Sequence, residues 1–471
     1  MPAKVIPHDV DVDVNDLRKP VGLFHRSAVN MELKILTFNF WGLAFLSKDR
    51  APRLAALGSI LARGEHDIVC LQELWIHDEY ERLRQDIQGA YPYSRFFHTG
   101  ALGSGLAIFS QHPITESHAL PYSLSGMPHQ VIQGDFYVNK AAARVAVRHP
   151  ALGEIEVWNT HMHAAGEGGP DTVQAHRMAQ AWQLATEVRR GTRGGRYVFA
   201  MGDFNSQPWS IPIALLRGYG GLRDSFLEAH PTANDPSPAG ITATQALESA
   251  GMTCDSTLNT WSQGKPIPAH VTAAGGKRLD YIFYTPSAHE TGLRCSSSKV
   301  VLTEHVPGRE MSISDHFGLS STFILSDEVH RPTPASQAPL LLDSESETSV
   351  IHPTPGGSVY ELRRADSASD GAVRAALATI RAYGRLARQR TLRFTALMVA
   401  CIIAAVGLAV GSAWQPKPWI QPIFTLLAFA LGAFGATMLY VGWLWGRWER
   451  GLLDEVTDEM EEVLRASEES R

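Results

Sequence analysis

The stretch Tyr197-Val-Phe-Ala-Met-Gly-Asp-Phe-Asn-Ser-Gln-Pro208 decides how the rest of the chain is read. Tyr197–Met201 is apolar and short, with aromatic and β-branched residues, as a buried strand requires. Gly202 permits a sharp exit from that strand. Asp203 and Asn205, two apart, then project on the same side of extended backbone. A carboxylate and an amide placed together at a strand end offer hydrogen bonds to one phosphate or to the water that attacks it. Working outward, seven more short apolar runs read as buried strands: Leu33–Phe38, Ile68–Leu71, Gly105–Phe109, Ala141–Val147, Ile155–Trp158, Tyr281–Tyr284 and Leu319–Ile324. Residues 51–63 and 173–190 have the spacing of amphipathic helices. Many strands with a few long helices predict a layered α/β sandwich from Glu32 to about Leu325. No internal repeat is present.

Polar residues recur at the ends of these strands. Asn39 follows the first, in Thr37-Phe-Asn-Phe-Trp-Gly42; its amide oxygen can meet a hard cation or a water bound to one. Glu73 follows the second, in Cys70-Leu-Gln-Glu-Leu-Trp75. Mg²⁺ takes oxygen ligands and keeps several waters, so one such carboxylate can be its main anchor. His161, in Asn159-Thr-His-Met-His163, is an imidazole able to meet a phosphate oxygen or protonate a leaving alkoxide. Asp280 opens a strand in Arg278-Leu-Asp-Tyr-Ile282. Asp315 and His316 precede another in Ser314-Asp-His-Phe-Gly318. An Asp that orients a His makes a general base, so Asp280 and His316 are paired in this reading, with Asp315 left to support a metal. Each site alone has a plain structural alternative: a turn, a surface carboxylate, a structural histidine. Together they describe metal-assisted phosphodiester chemistry.

The 471 residues allow one large domain with appendages, and a net charge of -6 argues against a nucleic-acid substrate. Cys70, Cys254, Cys295 and Cys401 form no close pair, which predicts a reducing compartment without disulfides. The amino-terminal residues lack an apolar core and do not read as a secretory leader. The expected organisation is a loose arm over 1–30, a catalytic domain over 31–326 and a Ser/Pro/Thr/Gly-rich linker over 327–370. A basic helix over 371–393 follows, with Arg374, Arg381, Arg385, Arg388, Arg390 and Arg393. Phe394–Trp414 and Pro418–Gly446 contain no charged residue, and a span of about 20 apolar residues crosses a bilayer. Transmembrane helices are therefore placed at 394–414 and 419–446, joined by the short turn Gln415-Pro-Lys-Pro418. Trp414, Trp419, Trp443, Trp445 and Trp448 near their ends fit interface anchors. Arginines flank both outer ends, so the positive-inside rule puts both ends and the large domain in the cytosol. Residues 447–471 read as an acidic, solvated cytosolic tail.

The order Asn39, Glu73, His161, Asp203-x-Asn205, Asp280, Asp315-His316 resembles the endonuclease/exonuclease/phosphatase superfamily. Within it the chain is similar to the neutral sphingomyelinases, including the inositol phosphosphingolipid phospholipases C. The strings Leu36-Thr-Phe-Asn-Phe-Trp-Gly42, Leu71-Gln-Glu-Leu-Trp75, Ser104-Gly-Leu-Ala-Ile-Phe-Ser110 and Gly251-Met-Thr-Cys-Asp-Ser-Thr-Leu-Asn-Thr-Trp261 carry that likeness. Thr257 departs from it, standing where the family more often has Pro. The resemblance implies a four-layered α/β sandwich of two stacked mixed sheets, here with a C-terminal two-helix transmembrane hairpin. It implies Mg²⁺, or Mn²⁺ in its place, on Glu73 with Asn39 as helper. Asp203 and Asn205 would hold nucleophile and phosphate, Asp280 and His316 would form the base, and His161 would meet the phosphate or leaving group. It also draws attention to Asp135-Phe-Tyr-Val-Asn-Lys140, where Lys140 can neutralise phosphate or pair with Asp135 as a switch; no complete phosphate-binding Gly-x-x-x-x-Gly-Lys-Ser/Thr loop is present. The implied substrate is a sphingolipid, expected in an intracellular membrane, endoplasmic reticulum or mitochondria, with the organelle left open; the basic stretch Arg374–Arg393 predicts activation by anionic phospholipids. The alternatives are a nuclease or inositol-phosphate phosphatase of the same superfamily, or an inactive membrane scaffold. Head group and oligomeric state are left open.

Overall fold

In the computed structural model the described residues are 31–470 apart from 132, 165–170, 232, 234–240, 287–291 and 327–367. The expected arm over 1–30 and nearly all of the expected linker over 327–370 lie outside them. Twelve strands form two six-stranded sheets. The first contains β1 (Glu32–Asn39), β2 (Ile68–Gln72), β3 (Tyr93–Phe97), β4 (Leu106–Ser110), β11 (Gly292–Val301) and β12 (Gly318–Ser326), in the order β11-β12-β1-β2-β4-β3. The second contains β5 (Ile114–Pro121), β6 (Ala141–His149), β7 (Gly153–His161), β8 (Val198–Asp203), β9 (Arg223–Asp224) and β10 (Asp280–Tyr284), in the order β5-β6-β7-β8-β10-β9. Both sheets are mixed: β1–β2 and β7–β8 are parallel pairs, the others antiparallel.

Alternation along the strands sorts side chains into three apolar layers. Leu33, Ile35, Ile68 and Cys70 meet Ala143, Val145, Val157 and Phe199 between the sheets. On the outer face of the first sheet, Leu36, Phe38, Val69 and Leu71 pack on helices α1 (Arg50–Leu61) and α2 (His77–Ile87). The outer face of the second sheet is covered by α4 (Asp171–Arg193) and α5 (Ile211–Gly218); a one-turn helix α3 (Asp135–Val138) lies between β5 and β6. Helix, sheet, sheet, helix is the four-layered sandwich the sequence led us to expect. Short helices α6 (Ser225–Ala229), α7 (Ala243–Ala250) and α8 (Ala269–Ala273) close one side.

The C-terminal region differs from its expected form. Helix α9 runs without a break from Ala368 to Gly411. Helix α10 (Gln421–Met438) passes through a π turn, Leu439–Trp445, into α11 (Gly446–Glu469). The expected solvated tail is instead an amphipathic helix: Leu453, Val456, Met460 and Leu464 of α11 join Val373, Ile380 and Tyr383 of α9 in the core over α4 and α5. Its acidic residues balance the basic stretch, through Arg374–Glu468 (2.7 Å), Arg381–Glu461 and Arg390–Glu449. The apolar halves of α9 and α10 pack on each other and leave Leu397, Ile403, Val406, Leu426 and Phe429 exposed. By length and composition they are long and apolar enough to cross a membrane. Gly442 and Gly446 let the helices touch, since a Cβ there would lie 2.6 Å from Phe394 Cβ and 2.2 Å from Thr391 Oγ1.

Candidate active site

Strand register assembles the polar residues. Across three neighbouring strands of the second sheet, His161 of β7, Asp203 of β8 and Asp280 of β10 lie side by side in one row. Facing them, Asn39 and Gln72 end the paired strands β1 and β2 of the first sheet, and Glu73 follows directly. Gly202 is required for the row to close. Its φ is 137°, and a Cβ would stand 1.9 Å from the carbonyl oxygen of Thr160 on β7. Glu73 and Asn205 leave their strands in the left-handed region, at φ 56° and 46°. That is unremarkable for Asn but costly for Glu, and such cost is typical of side chains aimed at a site.

Asn39 ties the two sheets together. Its amide nitrogen donates to Glu73 Oε1 and to Asp203 Oδ2, both at 3.0 Å, while its oxygen accepts from the Trp41 amide at 2.9 Å. It therefore orients two carboxylates. Below it, Gln72 Nε2 donates to Asn159 Oδ1 at 2.7 Å, joining the sheets in the buried layer. Buried Arg53 holds the loop after β1 by donating to the carbonyls of Phe40, Trp41 and Ile313.

His316 Nδ1 lies 2.8 Å from Asp280 Oδ2, and its Nε2 lies 3.9 Å from Asp203 Oδ2. Burial works against charge on His316, but Cys254 and Asp280 raise its pKa well above the ordinary value. Burial also raises the Cys254 thiol. Burial, with Asp280 alongside, pushes Asp203 up to about 7. Asp203 Oδ1 accepts from the Asn205 amide at 2.9 Å, and Asn205 Nδ2 donates to the Met162 carbonyl at 3.1 Å. The Asp280 and His316 segments are held by the loop Gly251–Trp261. The Asp280 amide donates to Thr253 Oγ1 at 3.3 Å, the Phe317 amide to the Thr253 carbonyl at 2.8 Å, and Asn259 Nδ2 to the Ser314 carbonyl at 2.8 Å.

Lys140 and Asp135, far from the strand-end motifs in sequence, belong to the same cluster. Lys140 Nζ is 3.7 Å from Asp135 Oδ1 and 2.9 Å from His161 Nε2. The ammonium must donate there, so the His161 proton sits on Nδ1 and the ring backs Lys140. Burial and Lys140 both lower the His161 pKa. Against the effect of burial, Lys140 and then His163 hold Asp135 well below the usual carboxylate range. His163 pairs through Nδ1 with Asp135 Oδ2. Its i+2 spacing from His161 is the only sign of it in the sequence.

Glu73 and Asp315 are residues that could hold a divalent cation. Burial raises the Glu73 pKa, and the nearby Asp315 carboxylate raises it further. Asp315 Oδ2 meets Lys265 at 3.2 Å, while its buried Oδ1 has no protein partner. Two carboxylates that repel each other, one with an orphaned oxygen, make a donor set of the hard-oxygen kind. Asp203, Asp280 and His316 also offer ligand atoms within reach of one point. A second group, Asp67, His112 and His149, sits at the opposite ends of the strands. His149 Nδ1 accepts the amides of Ala151 and Leu152 at 3.2 and 3.1 Å, so its proton is on Nε2 and no lone pair is left for a metal.

Residues 36–316 match the model of the endonuclease/exonuclease/phosphatase family. The inositol phosphosphingolipids phospholipase C of Schizosaccharomyces pombe is 35% identical over 92% of this chain and 95% of its own length. That of Saccharomyces cerevisiae is 30% identical over 91% and 89%. Sphingomyelin phosphodiesterase 2 of Homo sapiens is 30% identical over 65% of this chain and 68% of its own. The two yeast alignments are too long to omit the C-terminal helices.

Proposed function

The chain belongs to the endonuclease/exonuclease/phosphatase family, to its neutral sphingomyelinase and inositol phosphosphingolipid phospholipase C group, and from that premise we propose that it hydrolyses inositol phosphosphingolipids to ceramide and a phosphorylated head group. It is a phosphodiester hydrolase. The single observation that carries the substrate reading is the near full-length likeness to two phospholipases C, which extends beyond the catalytic sandwich.

The residues divide the work. Lys140, backed by His161, meets the non-bridging oxygens of the phosphate. Asp203, fixed by Asn39 and the Asn205 amide, aligns the attacking water. That water's proton passes to the Asp203 carboxylate, while His316, held by Asp280, gives its proton to the departing ceramide oxygen as the P–O bond breaks; return of the proton from Asp203 to His316 resets the site. Glu73 and Asp315, with Asn39 orienting Glu73, would hold Mg²⁺. When bound, the cation offsets negative charge that grows on the phosphoryl oxygens.

The apolar halves of α9 and α10 span a membrane in this reading, with both outer ends and the catalytic domain in the cytosol. Anionic headgroups then lie next to the basic residues of α9. The test is release of ceramide by purified full-length protein in mixed micelles. Phosphoinositol-ceramide, phosphocholine-ceramide and nicked DNA are compared side by side, with Asp203→Asn as control. Turnover of phosphoinositol-ceramide first, lost in the variant, is expected. Cleavage of DNA alone would overturn the reading, and a preference for phosphocholine-ceramide would correct the head group.

A further inference from the structure

His176 on α4 is buried between the active-site segment and the C-terminal helices. Its Nδ1 accepts the Gly126 amide at 2.9 Å, so its single proton must sit on Nε2. That nitrogen faces Glu449 Oε1 of α11 at 3.4 Å and the Tyr383 hydroxyl of α9 at 3.3 Å. Glu449 is fully buried and also takes the Tyr383 hydroxyl and the Arg390 guanidinium.

On its other side, Gly126 lies within the clasp that shapes the Asp135–Lys140 turn. Ser125 Oγ donates to the Asp135 carbonyl at 3.0 Å and accepts from the Lys140 amide at 2.8 Å, so it grips both ends of that turn. Gly126 has φ 75°, and a Cβ there would stand 3.1 Å from Asp135 Cβ. Any shift of the Ser125–Gly126 backbone is therefore passed to Lys140, whose Nζ reaches His161. Ring contacts reinforce the link: Phe136 of the turn meets Trp445 edge-on at 4.9 Å, and His129 meets Phe394 at 5.5 Å.

We propose that Glu449 and Tyr383 are positioning residues for Lys140, acting through His176 and the Ser125–Gly126 clasp, so that the membrane-hairpin helices form part of the catalytic machinery. This rests on the reading of the Lys140–Asp203 cluster as the phosphodiesterase site. A purely structural role would require only that Glu449 be neutralised, which Arg390 alone can do. The contact from Glu449 to a histidine whose other nitrogen holds the Ser125–Gly126 clasp is what that role leaves unexplained. Buried charge networks are weak sources of stability, and their best-attested use is to fix one arrangement.

The experiment uses the full chain in detergent and a short-acyl phosphoinositol-ceramide below its micelle concentration, so that delivery from a bilayer plays no part. Glu449→Gln and Tyr383→Phe are each expected to lower kcat about tenfold, with KM within about twofold and melting temperature nearly unchanged, because an interaction felt only in the transition state is lost. In a Lys140→Arg background the same changes should lower kcat little further, since residues acting through one another are not additive. Amide hydrogen exchange at Gly126 should accelerate in both variants while β1 and β2 stay protected, a readout that needs no substrate. Unchanged exchange at Gly126, or equal fold losses of kcat in both Lys140 backgrounds, would overturn the proposal. An inactive wild type whose Gly126 exchange still responds would count against the substrate reading and leave this coupling standing.

Discussion

Asp203 and Asp280 lie directly opposite each other on neighbouring antiparallel strands, and His316 stands 2.8 Å from one carboxylate and 3.9 Å from the other. Two buried acids this close cannot both ionise cheaply, and the imidazolium between them is what makes the arrangement tolerable. Replacing Asp280 by Asn removes the group that orients His316 while relieving repulsion. We expect kcat to fall at least about 10²-fold with KM little changed. Thermal stability should hold or rise, as when a strained site is relaxed. Steady-state kinetics beside a melting curve decide it; a fall in melting temperature matching the lost activity would make Asp280 structural.

The Glu73–Asp315 pair gives a cation test that does not depend on turnover. Magnesium should raise the melting temperature of wild type, because a ligand held a hundredfold above its Kd stabilises by about 2.7 kcal/mol. Glu73→Ala and Asp315→Asn should each abolish or sharply reduce that shift, and EDTA should remove activity from wild type. An equal magnesium shift in all three proteins would place the cation elsewhere.

His149 makes the fold sensitive to acid far from the site. Burial, with His112 nearby, lowers its pKa from 6.5 to about 4. The unfolded chain therefore binds the proton more readily than the native one. Stability from the neutral ring is complete above about pH 6.5 and is lost as pH falls toward 4. The cause is visible: protonated Nδ1 would face two amide donors. His149→Asn should flatten the fall of melting temperature between pH 7 and 4.5. Parallel curves for the two proteins would show that His149 is not the sensor.

The arginines of α9 fall into two sets. Arg374, Arg381 and Arg390 are paired with α11, whereas Arg385, Arg388 and Arg393 have no carboxylate partner among the described residues, and of these three each is exposed. Changing the exposed three to Gln should weaken stimulation by phosphatidylserine vesicles, at about 1 kcal/mol for each arginine near the surface. High salt should mimic the effect. Changing Arg390 to Gln should instead lower stability, since it strands buried Glu449. If both sets alter lipid stimulation alike, the division is wrong.

The eight strands legible in the sequence are the interior strands of the two sheets, and the four that were missed are their edges: β3 and β11 in one, β5 and β9 in the other. Interior strands are covered on both faces and read as apolar runs. Edge strand β5, Ile114-Thr-Glu-Ser-His-Ala-Leu-Pro121, is mostly exposed and has no such signature. The site residues were legible for a related reason. Asn39, Glu73, His161, Asp203 and Asp280 each terminate or open an interior strand, where a polar residue after an apolar run is conspicuous. Lys140 and Asp135 came only through family likeness, because their role depends on a clasp by Ser125 and Gly126 that spacing does not announce. His163, His176 and Glu449 were not found. Their partners lie in other elements, and a helix that looks acidic and solvated from composition conceals a fully buried carboxylate.

Helix α9 is one rigid rod of 44 residues, about 66 Å long at 1.5 Å per residue. Its first half is fixed in the catalytic core and its second half is the apolar segment proposed to cross the bilayer. A hydrophobic segment that does not match the local bilayer thickness tilts, and an unbroken rod carries that tilt into the domain bolted to it. The height and angle of the catalytic mouth above the headgroups are then set by the thickness of the lipid around the anchor. The enzyme would work only on the leaflet beneath it, meeting substrate by lateral diffusion, and its rate would report how thick that patch of membrane is.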